Sequence, residues 1–175
     1  MTLIFIQITL ESEFFPDVYS LYESSFPENE RRTLAQLETC FKNSNYRMEA
    51  YFVSDIFVGF VEYWIFNSFI YVEHIAVRPD YQRKSIGKQM MKNIISLNAP
   101  IFLEIELLID EITKQRYEFY KNLNFEIVNI PYYQPSYGKG KKSIELHLLA
   151  CNYDLKNEIN GVIKTIYTNV YQDLI

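Results

Sequence analysis

Apolar residues recur along the chain with two different periods, and the places where the period changes mark its elements. "LIFIQITL" at 3–10 is a continuous β-rich run and predicts a first strand. Phe14, Phe15, Val18, Leu21 and Tyr22 then fall on one helical face, and Pro27 ends that helix. "TLAQLETCF" predicts a short second helix with Thr33 as its N-cap. "RMEAYFVSD", "IFVGFVEYWIF" and "SFIYVEHIAV" are three β-rich runs separated by Ser54-Asp55 and Asn67-Ser68, both of which suit tight turns, so an antiparallel meander is expected. "IGKQMMKNIISL" repeats apolar residues at Ile86, Met90, Met91, Ile94 and Ile95 and predicts a helix. "IFLEIELLI" is a buried-looking strand, "TKQRYEFYKNL" a helix, and "FEIVNIPYYQ" and "KSIELHLLA" two last strands around a loop rich in Pro, Tyr and Gly. The order β-α-α-β-β-β-α-β-α-β-β predicts an α/β domain over 1–150, a mixed central sheet with helices on both faces.

Residues 151–175 form an extension to that core. Ile159, Val162, Ile163, Ile166, Tyr167, Val170, Tyr171 and Leu174 lie on one helical face, with Gly161 weakening the start. Such a stripe needs a cover, either a groove of its own domain or a second copy, so a homodimer through this helix is an expected alternative.

Composition narrows the class. With 175 residues, 49% hydrophobic and 17% aromatic, the chain suits one domain with a sizeable core. No charged leader with an apolar run stands at the N-terminus and no window approaches a membrane span, so a cytoplasmic protein away from the membrane is expected. Cys40 and Cys151 match neither a metal-ligand spacing nor a disulfide framework; both read as buried thiols, and no metal is expected. The net charge of -5 opposes a nucleic-acid partner and favours a small cationic one.

The stretch "VRPDYQRKSIGK" at 77–88 carries the candidate chemistry. A strand ending at Val77, a polar turn and a helix starting near Gly87 aim backbone N–H groups and the positive end of a helix dipole at one point, which attracts phosphate. Gln82, Arg83, Lys84 and Lys88 surround it with polar and cationic side chains. The same residues also suit a solvated basic turn before an amphipathic helix.

"VRPDYQRKSIGKQMM" resembles the acetyl-coenzyme A signature of the GNAT N-acetyltransferases, in which Gln or Arg is followed by two residues, Gly, one residue and Gly or Ala. Gln82 fills the first position and Gly87 the last, while Ser85 stands where the family has its first glycine. "RYEFYKNLNF" at 116–125 is similar to the family's "FYEKLGF" motif, with Asn124 in place of Gly. The resemblance implies a splay between the strand ending at Val77 and the next strand, with pantetheine bonded to the backbone of Ile75 and Val77. It implies an acetyl carbonyl at an N–H near Ala76 or Val77, and a pyrophosphate on the turn from Gln82 through Ser85, Ile86 and Gly87 to Lys88. It further implies direct attack by an amine on the thioester, with Tyr120 as the acid for the leaving thiolate.

The base maps, by the same resemblance, onto the strand before the signature, at Glu73 or Tyr71. Glu104 and Glu106 share a face of "IFLEIELLI"; Glu106 is a further candidate, and either carboxylate can instead pair with Arg47 or Arg116. His74 points away from Glu73 by strand alternation and reads as a satisfied core histidine, and His147 is equally structural. "SSFPENERRT" and "PYYQPSYGKGKKS" are long enough to wall an amine site, with Tyr132, Tyr133 and Tyr137 able to stack on a substrate. Two functions follow: an acetyl-CoA-dependent N-acetyltransferase acting on a small amine, favoured by Tyr120 and the strand glutamates, or a GNAT-like acyl-CoA-binding module without turnover, favoured by Ser85 and by Thr113 where many members carry Asn.

Overall fold

Strands β2 (Tyr46–Val53) and β3 (Ile56–Ile65) are mostly apolar and buried over nearly their whole length, so elements must cover them on both sides. The computed structural model describes residues 2–138, 140–154 and 159–171. Its eight strands follow the order β1-β2-β3-β4-β5-β8-β6, with β7 pairing β8, and helices accompany them in a mixed α/β fold. The chain forms two compact units, Met1–Ile65 with Val72–Leu97, and Phe66–Tyr71 with Asn98–Ile175.

In the first unit β2 pairs antiparallel with β3, most of β4 (Ile70–Val77) lies next to β3 as the expected meander of these three strands requires, and β1 (Leu3–Gln7) adds antiparallel to β2. The β2–β3 turn places Ser54 and Asp55 at φ 48° and 63°, the left-handed pair that a two-residue hairpin requires. One face of β3 receives α1 (Phe15–Ser25), where Tyr22 meets Phe60 edge-on. The other receives α3 (Ile86–Ile95), whose Met90 reaches Gly59. Helix α2 (Leu34–Phe41) begins with the predicted Thr33 cap, completed by Gln36 into a reciprocal capping box.

Gly59 has a steric purpose that periodicity does not reveal. A Cβ at this position would lie 2.4 Å from the carbonyl oxygen of Ala76 and 3.2 Å from Val77 Cα. Its hydrogen therefore lets β3 approach the C-terminal end of β4, the place where the signature turn starts.

The second unit holds β5 (Ile101–Glu106), which pairs antiparallel with β8 (Ile144–Cys151). Helix α4 (Glu111–Lys121) packs on β5. The predicted strand at 125–134 divides into β6 (Glu126–Ile127) and β7 (Tyr132–Gln134), both paired with β8, which adds one strand to the expected order. Pro131 between them has no N–H to offer a ladder. Helix α5 (Asn160–Asn169) confirms a helical tail, and Ile166, Val170 and Tyr171 are buried by the chain itself. Tyr167 donates to the Tyr133 carbonyl and Tyr171 Oη lies 2.9 Å from Tyr71 Oη, so this part of the stripe packs within its own unit. Leu174 of the predicted stripe lies outside the described residues. Among the described residues no helix is long and apolar enough to cross a membrane.

Because the clash at Gly59 is with backbone, Gly59→Ala is expected to lower stability by about 1–3 kcal/mol through overpacking. Thermal denaturation checks it, and an unchanged midpoint would show that β4 tolerates a wider spacing.

Candidate active site

The end of β4 and the turn after it are more open than the middle of the strand. Along β4 the residues Glu73, Ile75 and Val77 are half-buried while His74 and Ala76 are buried, so the face carrying Ile75 and Val77 is the more open one. A short 3-10 turn at Pro79–Tyr81 follows, and Gln82 folds back to donate from Nε2 to the Val77 carbonyl at 3.1 Å. Gln82 thus closes the turn onto the strand. Arg83 and Ser85 both take left-handed conformations, φ 59° and 60°. Ser85 is the N-cap of α3, and its hydroxyl caps none of the helix's first N–H groups. Left-handed residues in such a turn gather successive N–H groups into an anion-binding concavity. Arg83, Lys84 and Lys88 are exposed around it, with the Lys84 ammonium 4.9 Å from the centre of the Tyr81 ring.

Two expectations change here. The helix begins at Ile86, one residue before Gly87, so Gly87 lies inside the first turn with an ordinary φ. Ser85, at the position of the family's first glycine, carries left-handed strain, as Arg83 two residues earlier does.

A second cluster of the same unit surrounds Glu62, which is fully buried on β3. Tyr46 Oη donates to its Oε2, and His74 Nδ1 meets its Oε1. His74 Nε2 lies 2.9 Å from the Glu30 carbonyl, an acceptor only, so Nε2 carries a proton. With a carboxylate on Nδ1 as well, the ring is an imidazolium. Burial opposes that charge, but the charge and hydrogen bond of Glu62, then Glu73 and the Glu30 carbonyl, outweigh it and raise the His74 pKa above its ordinary 6.5. His74 is the satisfied core histidine expected from the sequence.

Glu73 joins this cluster instead of standing apart from it. Its Oε1 accepts from Arg32 Nη2 at 2.8 Å and its Oε2 from Trp64 Nε1 at 2.7 Å, and its side chain is 0% exposed. Ligand atoms of Glu62, Glu73 and His74 lie within 4.8 Å of one another. Alternation sets the direction of each Cβ, but the longer glutamate side chain turns toward Arg32 and Trp64. Arg32, 41 residues away in sequence, and Glu62 were not foreseen as its neighbours; an apolar strand interrupted by Glu62 was the available signal.

In the second unit Tyr120 sits on α4, buried, with Phe119 and Phe125 edge-on to its ring. Burial raises its pKa to about 12, Arg116 working against and Glu106 with that shift. The phenol therefore keeps its proton across the neutral range. Asn124 takes φ 64° after the helix, the left-handed conformation expected of it. Thr113 is occupied in a capping box with Asp110. Glu106 pairs with Arg116, one of its two expected partners, and is 41% exposed. Glu104 takes neutral donors instead: Tyr132 Oη, Gln134 Nε2 and Tyr171 Oη. Arg47, the other expected partner, donates to the carbonyls of Ser44 and Tyr46. His147 stands opposite Ile105 in the β5–β8 ladder.

A left-handed turn leading into a helix whose N-cap side chain makes no capping bond is an arrangement able to hold an anion. The family model described as "Acetyltransferase (GNAT) domain" matches residues 47–127. A solved structure of a candidate GNAT-family acetyltransferase from Bacteroides thetaiotaomicron is 30% identical, with a TM-score of 0.89 over 96% of this chain and 98% of that one. The Bacillus subtilis (strain 168) protein YjbC, a candidate acetyltransferase, is 24% identical over 157 residues, 87% of this chain and 80% of its own. An aminoglycoside 6'-N-acetyltransferase complexed with coenzyme A shares the fold at a TM-score of 0.59 and 18% identity, over 85% of this chain and 96% of that one. The chain belongs to the GNAT acetyltransferase family.

Two measurements follow from these details. Ser85→Gly removes a left-handed cost of about 1–2 kcal/mol and returns part of it as unfolded-chain entropy, so a net gain of about 0.5–1 kcal/mol is expected in denaturant unfolding. A loss would show that Ser85 makes a contact outweighing its strain. For His74, the folded pKa exceeds the unfolded one, so its contribution is complete below about pH 6.5 and is lost as pH rises through the folded value. The midpoint of wild-type melting should therefore fall from pH 6 toward pH 9 relative to His74→Gln, whose curve lacks that component; parallel curves would refute it.

Proposed function

We propose that this acetyltransferase is an acetyl-CoA-dependent N-acetyltransferase whose acceptor is a primary amine, small and cationic. The observation that carries the reading is the left-handed turn from Gln82 to Ser85 leading into the uncapped α3, with exposed Arg83, Lys84 and Lys88 around it. These donors suit the pyrophosphate of coenzyme A, and the half-buried face of Ile75 and Val77 suits the pantetheine arm lying beside the strand. The backbone N–H near Ala76 or Val77 receives the carbonyl oxygen as negative charge develops on it.

In this reading the amine nitrogen forms its bond to the acetyl carbon while the carbon–sulfur bond breaks. Tyr120 gives its phenolic proton to the departing sulfur, which a phenol protonated up to about pH 12 is able to do. The proton lost by the amine goes to a carboxylate. Glu106 is open to solvent beside Arg116, whereas Glu73 is enclosed with both oxygens hydrogen-bonded, so Glu106 takes the base's role directly or through a water. Acceptor charge follows from the chain's net charge of -5 and from the aminoglycoside acceptor named for the structural relative.

The second reading, a module that holds acyl-CoA without turnover, draws on Ser85 at a glycine position and on Thr113 engaged in its helix cap. A thiol-release assay with acetyl-CoA and kanamycin, spermidine or the peptide MVNAL separates the two. Turnover with any of them supports the enzyme; saturable acetyl-CoA binding with no turnover supports the module. In the enzyme, Tyr120→Phe is expected to lower the transfer rate on the order of 10²-fold with acetyl-CoA affinity unchanged. An unchanged rate would reduce Tyr120 to packing.

A further inference from the structure

The segment 27–33 between α1 and α2 is fastened within its own unit at three points, one on α1 and two on β4. The backbone N–H of Arg32 donates to Tyr22 Oη at 2.7 Å. Its guanidinium meets Glu73 at 2.8 Å, with side chains 3% and 0% exposed. The Glu30 carbonyl receives His74 Nε2. The Arg32 guanidinium also lies 5.9 Å from the centre of the Trp64 ring, and the Trp64 indole holds the second oxygen of Glu73. Arginine suits this place, because a planar guanidinium can bond a carboxylate and lie against an indole at once.

Glu73 is two residues before Ile75 on the same strand, about 6.6 Å along it. A segment locked onto Glu73 is thereby locked next to the part of β4 assigned above to the acetylated end of pantetheine. Side chains held this way do not touch the reacting atoms, yet they decide how rigid that neighbourhood is.

We propose that Arg32 is a positioning residue for acetyl transfer: with Glu73 as its buried counter-ion it fixes segment 27–33 as a rigid wall on the acceptor side of β4. Glu73 then serves amine binding through this ion pair. The proposal rests on the acetyltransferase reading and adds to it the residue that shapes the acceptor side.

The test uses the full chain with Arg32→Met, Arg32→Lys and the double variant Arg32→Met/Glu73→Leu. The double variant removes both charges together and so avoids the stranded Glu73 carboxylate of the single methionine variant. Amide hydrogen exchange over 28–33, acetyl-CoA affinity by calorimetry, and KM and kcat with whichever of kanamycin, spermidine or MVNAL turns over are measured. Expected for Arg32→Met or the double variant are amides at 28–33 exchanging about tenfold faster or more and an amine KM about tenfold higher, with kcat and acetyl-CoA affinity nearly unchanged. Arg32→Lys should recover part of both. Unchanged exchange at 28–33, or a lower melting point with unchanged KM, overturns the proposal. If the wild type acetylates none of the three amines, the transfer reading fails separately, and the exchange measurement alone decides whether Arg32 fastens the segment.

Discussion

A carboxyl group with no access to water is the constraint around which the first unit is arranged. Glu62 lies in β3 between apolar neighbours, and burial there is tolerable only if its charge is compensated and its lone pairs are filled. Tyr46 and His74 meet that demand, and the demand propagates. To answer Glu62 the imidazole carries two protons, and its second proton reaches out to the Glu30 carbonyl. Through that bond a requirement set inside the sheet dictates the path of a loop outside it.

The second unit meets the same requirement by different chemistry. Glu104 is surrounded by phenols and an amide, donors that bring no formal charge. Glu106, two residues on and closer to solvent, keeps an arginine. A partly exposed ion pair of this kind is weakened by water and salt and can reorganise.

Most of the elements were legible in the sequence because their signals are local. Thr33 caps α2, Ser54-Asp55 turns a hairpin and Asn124 takes the left-handed place after α4, each as its own side chain dictates. The division of β6 from β7 needed the added weight of Pro131 over a run that otherwise alternates well. What stayed hidden depends on distant pairs. Nothing near Gly59 in sequence reveals that its hydrogen faces the Ala76 carbonyl, and nothing near Arg32 reveals Glu73. Of the candidate site, the strand, turn and helix around 77–88 were readable, but the left-handed backbone at Ser85 was not, since a serine in a turn carries no mark of its backbone angle.

Trp64 is the chain's one tryptophan, buried, with its indole N–H on Glu73 and its ring near the Arg32 guanidinium. The intrinsic emission of the protein under selective excitation therefore originates at a single place, in a dry setting between a fixed anion and a fixed cation. Fields from such charges shift the excited indole's energy in opposite senses depending on which end of the ring they face. The molecule thus contains its own optical probe of whether the segment joining α1 to α2 is seated, readable without any label.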